Sequence, residues 1–193
     1  MTEAILDEKA VIYRVGDKAY PRVTTILKSC GFIDYSNVPE RNIEFGMDRG
    51  RKAHKALEMW DLGVLNEDSL DERLAPYLKA YKQFRQDTQF LPEMIEQPLF
   101  SEAYGYAGTP DRVGDINGHV TVVDIKSGSP EPWHGLQLEA YRHLLGQCAD
   151  RVAVYLRPTG KYRLEYYKDL NDWPIFSAAL SCYNWKMAHG GTT

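Results

Sequence analysis

The chain has 193 residues, of which 44% are hydrophobic and 26% are charged, and its formal net charge is −4. This composition can bury one hydrophobic core, which excludes a disordered or fibrous protein. The negative balance excludes a global positive field, so any binding to nucleic acid must depend on local patches of basic residues.

The chain is predicted to begin with a hairpin and a short helix. β-prone residues flank a Gly-Asp pair and predict strands over 11–15 and 18–23. Thr24 or Thr25, directly after the second strand, is suited to cap the N-terminus of a helix by accepting hydrogen bonds from backbone N–H groups. This helix is expected to be short, because Gly31 provides a stop signal.

Two long helical patterns follow the short helix. Apolar residues recur at helical spacing over 39–62, which predicts one strong helix or two pieces that meet at a glycine. A second helix is predicted over 71–89, where Pro76 either marks its true start or introduces a kink. With the hairpin, these helices occupy residues 1–90 and are expected to form an N-terminal helical wall.

The second half of the chain, residues 91–193, changes to strand patterns separated by two helices. Strands are predicted over 92–100, 105–116, 119–126, 151–157 and 161–168, and helices over 132–148 and 170–189. The Asn117-Gly118 pair between the second and third strands is a strong hairpin signal. This order of elements indicates a mixed α/β fold, with a central mixed sheet flanked by helices.

The predicted hairpin opposes two carboxylates. With a two-residue turn between the strands, Val113 faces Val122 and Asp111 faces Asp124. The Cβ atoms of the two aspartates would then be roughly 4.5 to 5.5 Å apart, where like charges repel. A divalent cation such as Mg²⁺ or Mn²⁺ relieves this repulsion, because both ions take carboxylate and water oxygens. Lys126 lies on the same strand face as Asp124, which sets an ammonium beside the predicted metal.

These groups are sufficient for phosphodiester hydrolysis. The metal polarises a phosphoryl oxygen and lowers the pKa of a bound water, while the lysine orients the water or stabilises developing negative charge. From the residues alone a second interpretation stays open, because a register inferred from a turn can slip by one residue. In that interpretation Asp124 and Lys126 form an exposed ion pair, and Asp111 only marks the entry into a strand.

Four short motifs follow one another along the chain: Gly50 with His54, Pro110-Asp111, Asp124-Ile125-Lys126, and Gln137 with Tyr141. In this order they resemble the motifs of the PD-(D/E)XK nuclease superfamily, and the histidine and Gln-x-x-x-Tyr motifs resemble its RecB-type branch. Residues 20–27 are also similar to a segment of phage-encoded and mitochondrial genome-maintenance exonucleases of that branch. The resemblance covers about residues 20–145, which is most of the chain.

The resemblance implies a restriction-endonuclease-like core, with one nuclease domain over residues 1–193. It implies that Mg²⁺ or Mn²⁺ is bound by two carboxylates, an imidazole and a backbone carbonyl, which belong to Asp111, Asp124, His54 and Ile125. Lys126 then acts as the catalytic lysine, together with Asp111 and Asp124. Glu96 matches a glutamate often found before the hairpin, although a strand-edge carboxylate explains it equally well.

The resemblance also implies how DNA is held. Gln137 and Tyr141 are four residues apart on a predicted helix and therefore share one face, from which they are expected to shape the site and contact DNA. Lys52 and Lys55, on the predicted helical wall, are expected to bind phosphates. DNA is thus the expected partner, whereas the sequence leaves the oligomeric state open.

The expected function is a metal-dependent DNA nuclease, in particular an exonuclease on single strands or duplex ends, with a role in replication, recombination or repair. Two alternatives are a site-specific or structure-specific endonuclease and a non-catalytic nucleic-acid-binding module. Three scattered cysteines without a Cys-x-x-Cys pair argue against an iron–sulfur cluster and suit the cytoplasm of a bacterial or phage-infected host. No apolar run approaches the roughly 20 residues that would cross a membrane.

Overall fold

The computed structural model describes residues 4–7 and 12–191. In chain order the strands are β1 (Ile5–Asp7), β2 (Ile12–Val15), β3 (Lys18–Pro21), β4 (Leu91–Ile95), β5 (Leu99–Ser101), β6 (Tyr106–Gly108), β7 (Arg112–Ile116), β8 (His119–Lys126), β9 (Asp150–Leu156) and β10 (Tyr162–Tyr166). The helices are α1 (Val23–Ser29), α2 (Glu40–Asp61), α3 (Ala75–Thr88), α4 (Trp133–Leu145) and α5 (Asp172–Ala188).

A five-stranded sheet with the order β10-β9-β8-β7-β4 forms the centre of the fold. Strands β8 and β9 are parallel and are connected through α4, whereas the other neighbours are antiparallel. The predicted mixed central sheet is therefore confirmed. Along β9 the buried side chains alternate between the two faces of the sheet, as strand geometry requires.

Helices cover both faces of this sheet. One hydrophobic cluster joins α1, α4 and α5 to side chains such as Val122 and Tyr155, and a second joins α2 and α3 to side chains such as Val123 and Val154. The second cluster confirms that the N-terminal helices form a wall along the sheet. In the part of the chain that the structure describes, no helix has the length and apolar character to span a membrane.

The hairpin of β7 and β8 has the predicted register, in which Val113 pairs with Val122. Its turn residues, Asn117 and Gly118, both have positive φ angles, 53° and 85°, and this left-handed backbone is the reason that an Asn-Gly pair favours two-residue hairpins. Ladder pairing ends at Arg112, so Asp111 lies one residue outside the strand. The local turn chemistry therefore determined the register correctly.

Two predicted strands are each divided between separate sheets. The strand expected over 92–100 breaks at Glu96, whose φ of 49° turns the backbone away from the extended conformation. The strand expected over 105–116 breaks before Asp111. The short pieces β5 and β6 pair with each other in a two-stranded sheet of their own. Both breaks lie beside the candidate site, where the backbone leaves regular pairing to present carboxylates.

Three details of the N-terminal half differ from expectation or decide between alternatives. Helix α1 begins at Val23, and neither predicted threonine caps it, because Arg22 occupies the N-cap position without a side-chain bond. Helix α2 is one continuous helix rather than two pieces. Helix α3 begins at Ala75, so Pro76 lies in its first turn, where a missing N–H costs nothing. The β2–β3 hairpin is confirmed, with residue 11 outside the described residues.

Candidate metal centre and active site

The candidate site lies at one end of the central sheet, where four separate segments converge. Asp111 precedes β7, Ile125 and Lys126 end β8, His54 projects from the middle of α2, and Glu96 follows β4. The backbone N–H of Glu96 donates to the carbonyl of Asp111 at 3.0 Å, so the break after β4 holds this glutamate next to the hairpin.

His54 is the centre of a cluster of potential metal ligands. Its Nε2 lies 2.8 Å from the backbone carbonyl of Ile125, and its Nδ1 lies 3.4 Å from Oδ1 of Asp111 and 3.7 Å from Oε1 of Glu96. One ligand atom from each of His54, Glu96 and Asp111 lies within 4.8 Å of the others. Among the described residues, this is the one group of three or more such side chains that could hold a metal ion. Carboxylates, a carbonyl and an imidazole form a donor set that Mg²⁺ or Mn²⁺ can use.

The charges of the cluster depend on one another. Burial alone would lower the pKa of His54, but the carboxylates of Asp111 and Glu96 outweigh burial and raise this pKa to about 10. Burial alone would raise the pKa of Asp111, but His54, Lys126 and the Ile125 N–H hold it below its usual range. Positive charge therefore stabilises this acidic cluster. A bound divalent cation would supply positive charge at the same place.

Asp124 and Lys126 form an ion pair beside this cluster, with Nζ of Lys126 at 2.6 Å from Oδ2 of Asp124. This carboxylate oxygen is buried, and the ammonium of Lys126 is the cation that lies against it, although their geometry is not that of a well-aligned hydrogen bond. Burial, together with the nearby Asp111, raises the pKa of Asp124 to about 6 despite Lys126. Asp124 therefore adds a second buried carboxylate beside Asp111, an arrangement that a divalent cation would stabilise.

Gln137 and Tyr141 of α4 hold the lysine in place. Nζ of Lys126 donates to Oε1 of Gln137 at 2.9 Å, and Nε2 of Gln137 donates to the hydroxyl of Tyr141 at 2.9 Å. Gly108 makes room for this chain of hydrogen bonds, because a Cβ there would lie 2.6 Å from the Tyr141 ring. The structure thus brings Gln137 and Tyr141 to the site, where Gln137 contacts the lysine directly and Tyr141 contacts Gln137.

Lys52 and Lys55 lie further out on α2. Their side chains are 57% and 63% exposed, and they pair with acidic neighbours on the same helix, Asp48 at 2.7 Å and Glu58 at 2.9 Å. Lys55 lines an open cavity of about 440 Å³ together with His54 and Glu96, so it borders the candidate site. The ammonium of Lys52 is engaged at the surface and takes no part in the His54 cluster.

Sequence reasoning missed a buried network that supports Glu96. The side chain of Arg112 has 0% exposure, and it donates to Asp61 at 2.7 Å, to Glu96 at 3.0 Å and to the carbonyl of Asp111 at 2.6 Å. The side chain of Asp61 is also fully buried, and it accepts hydrogen bonds from Tyr81 and Arg85. An arginine within a strand predicted for the central sheet was the available signal, because such a charge must be paired when it is buried.

Comparisons with known proteins agree with this geometry. The family model that describes the PD-(D/E)XK nuclease superfamily matches residues 34–173, well over half of the chain. Among solved structures, the chain is similar to the alkaline exonuclease LHK-Exo from Laribacter hongkongensis, with a TM-score of 0.51, 10% sequence identity and 89% coverage of each chain. At this identity the likeness concerns the fold alone. No curated protein gives a significant match.

Proposed function

The chain belongs to the PD-(D/E)XK nuclease superfamily, and from this premise we propose that it is a metal-dependent deoxyribonuclease that hydrolyses phosphodiester bonds. The observation that supports this proposal most directly is the cluster of His54, Glu96 and Asp111 beside the Asp124–Lys126 pair. The cluster supplies ligands for a cation, and Lys126 supplies a fixed ammonium next to them. Hydrolysis of a phosphodiester needs both kinds of group.

His54, Asp111, Asp124 and the Ile125 carbonyl would hold Mg²⁺ or Mn²⁺, with Glu96 as a further carboxylate. When bound, the cation polarises a phosphoryl oxygen and lowers the pKa of a water. The role of Asp111 is to orient the cluster, since its Oδ2 accepts the Ile125 N–H while Oδ1 faces His54.

Lys126 supplies positive charge at a fixed point. Its ammonium is held between Asp124 and Oε1 of Gln137, and it can therefore stabilise negative charge that develops on the phosphate oxygens without reorganising first. The hydroxyl of Tyr141 accepts from Gln137 and fixes the orientation of this amide. We propose that Gln137 and Tyr141 shape the site through this chain and contact DNA, and that Lys52 and Lys55 bind phosphates outside it.

We further propose exonucleolytic action on single strands or duplex ends. The structural neighbour is described as an alkaline exonuclease, and it supports this choice only through its fold. Membership of the RecB-type branch, a role in replication, recombination or repair, and a cytoplasmic location in a bacterial or phage-infected host stay predictions. An endonuclease and a non-catalytic binding module are the alternatives that the following experiment separates.

The test is digestion of end-labelled single-stranded DNA, end-labelled duplex DNA and closed circular DNA in Mg²⁺, Mn²⁺ or EDTA. We expect metal-dependent loss of nucleotides from ends, no cutting of circles, and no activity in Lys126→Ala. Lys168→Ala, at an exposed lysine that follows β10 on the edge of the sheet and away from the end that carries Lys126, is the control and should remain active. Cutting of circles would favour an endonuclease, and salt-sensitive binding without cleavage would favour a binding module.

A further inference from the structure

A second cavity, of about 450 Å³, adjoins the candidate site on its other side, between α2 and the segment that follows β8. His54, Ile125 and Lys126 line both this cavity and the candidate site, so the two are continuous. The remaining wall is largely apolar and aromatic, and it includes Tyr35, Val38, Met47 and Trp133. The mechanism proposed above uses none of these four side chains.

Three of the apolar side chains of this cavity are largely exposed, whereas Trp133 packs partly against the core. Tyr35 is 45% exposed, Val38 is 41% exposed and Met47 is 59% exposed, although large apolar side chains usually bury themselves. In the described part of the chain the hydroxyl of Tyr35 has no hydrogen-bond partner, and its ring makes no aromatic contact. A cluster of this kind at the edge of a polar site is typical of a surface that binds a ligand.

The guanidinium of Arg49 provides a positive charge at the edge of the same cavity. Arg49 lines it and donates to the carbonyl of Ser127 at 3.5 Å, but among the described residues it makes no ion pair with a carboxylate. The Nε of Arg49 is buried and has no hydrogen-bond partner. An arginine that is neither neutralised nor fully hydrogen-bonded suits an anionic ligand, because a guanidinium binds phosphate oxygens strongly.

The aromatic wall of the cavity begins at Trp133, next to Lys126. Nζ of Lys126 lies 5.4 Å from the centre of the Trp133 ring, in a cation–π contact. A phosphate at Lys126 would therefore have this cavity beside it, and the nucleoside attached to that phosphate would meet an aromatic surface with an arginine next to it. Nucleobases stack on such surfaces whatever their sequence, because every base has a π-face.

We propose that this cavity, lined by Tyr35, Trp133 and Arg49, binds one unpaired nucleobase of the strand being cut, next to the phosphate held at Lys126. The proposal rests on the proposed nuclease function and adds the class of substrate to it. A base within a duplex has both faces covered by stacking, so the strand must be single or frayed where it enters the cavity. Selectivity for unpaired ends would then follow from the shape and chemistry of the cavity.

Binding can be tested without cleavage. Single-stranded oligonucleotides that carry 2-aminopurine at successive positions are mixed with the wild-type protein in EDTA, and the base fluorescence is recorded. We expect quenching at one or two positions, and loss of this quenching in Tyr35→Ala. Tyr166→Ala is the matched control, because Tyr166 is an equally exposed tyrosine on β10, at 43% exposure, and we expect it to quench like the wild type.

A cleavage assay with modified strands provides the second test of this proposal. An abasic residue at the quenched position should slow cleavage of the adjacent bond by the wild-type protein at least about fivefold, as expected for the loss of one base–aromatic stack. Tyr35→Ala should slow cleavage of the intact strand to a similar extent. It should not slow cleavage of the abasic strand further, because base and ring act through the same contact.

The possible outcomes separate the two proposals. Cleavage that is insensitive to an abasic residue at every position would overturn the base-binding cavity and leave the nuclease intact. Absence of cleavage by the wild type would overturn the nuclease, while the quenching experiment would still decide what the cavity binds. A change of oligomeric state in Tyr35→Ala, with unchanged quenching, would overturn the proposal in favour of an interface between copies of the chain.

Discussion

Oδ2 of Asp111 accepts a hydrogen bond from the backbone N–H of Ile125 at 2.5 Å. This bond joins the two strands of the hairpin just beyond the last ladder pair, and it fixes the rotation of the carboxylate so that Oδ1 faces His54. The carbonyl of the same Ile125 lies 2.8 Å from the His54 ring. The backbone N–H and C=O of Ile125 thus align Asp111 and His54, which are far apart in the sequence.

The first prediction concerns Asp124→Asn, which should retain the fold and lose activity. Burial raises the pKa of Asp124, which means that its charged form is costly in the folded protein, and a neutral amide of the same shape removes this cost. We expect an unchanged or higher midpoint of urea unfolding, together with a loss of nuclease activity of at least about 100-fold. Full activity in this variant would contradict the role assigned to the carboxylate.

The second prediction concerns the contribution of Glu96 to metal binding. Glu96→Gln removes the negative charge but keeps the shape, so the concentration of Mn²⁺ that gives half-maximal activity should rise at least about tenfold. The same shift should appear in the Mn²⁺ concentration needed to raise the melting temperature, because a ligand of the folded state stabilises it. Glu93→Gln, at an exposed glutamate of β4 three residues before Glu96, is the control and should change neither value.

The third prediction concerns the buried Arg112–Asp61 pair. Arg112→Met leaves the fully buried carboxylate of Asp61 without one of its cationic partners and also releases Glu96. We expect the free energy of unfolding, measured by urea denaturation, to fall by about 3 kcal/mol or more. Arg163, an exposed arginine paired with the half-exposed Glu165, provides the contrast, since Arg163→Met should cost less than about 1 kcal/mol. Equal effects of the two substitutions would refute the structural role of Arg112.

The fourth prediction concerns the pH dependence of stability. Burial lowers the pKa of His134 from 6.5 to about 3, and Lys126 adds to this effect. The neutral ring accepts hydrogen bonds at Nδ1 from the Glu131 N–H at 3.2 Å and from the Tyr155 hydroxyl at 2.8 Å. This histidine therefore favours the folded state fully above pH 6.5. Below that pH the unfolded state binds the proton and the folded state does not, so the contribution is lost progressively toward pH 3.

Unfolding by urea at several pH values measures this contribution. Between pH 6 and pH 4 the wild type should lose up to about 1.4 kcal/mol per pH unit from this group. His134→Asn, which keeps an acceptor but cannot titrate, should show a correspondingly smaller slope. The exposed His119 serves as the control, because His119→Asn should retain the wild-type slope. An unchanged slope in His134→Asn would show that other groups cause the pH dependence.

The hairpin and the candidate ligands were predictable because their signals are local. An Asn-Gly turn fixes the register of its own strands, and this register puts Asp111 one residue beyond the last ladder pair, beside the end of β8 that carries Asp124 and Lys126. Helical spacing likewise puts Gln137 and Tyr141 on one face of α4. Turn geometry and periodicity act over a few residues, so they can be recognised without the rest of the fold.

The break at Glu96, the buried Arg112–Asp61 pair and the position of His54 beside Ile125 were decided only by tertiary structure. Each depends on contacts between segments that are distant in the sequence. The positive φ of Glu96 is held by its bond to Asp111, and the charge of Arg112 is tolerated because α2 delivers Asp61 to it. Sequence therefore determined the candidate ligands and the lysine. Packing of α2 against the sheet determined how they meet and which buried charges support them, because only the folded chain can offset the cost of burying those charges.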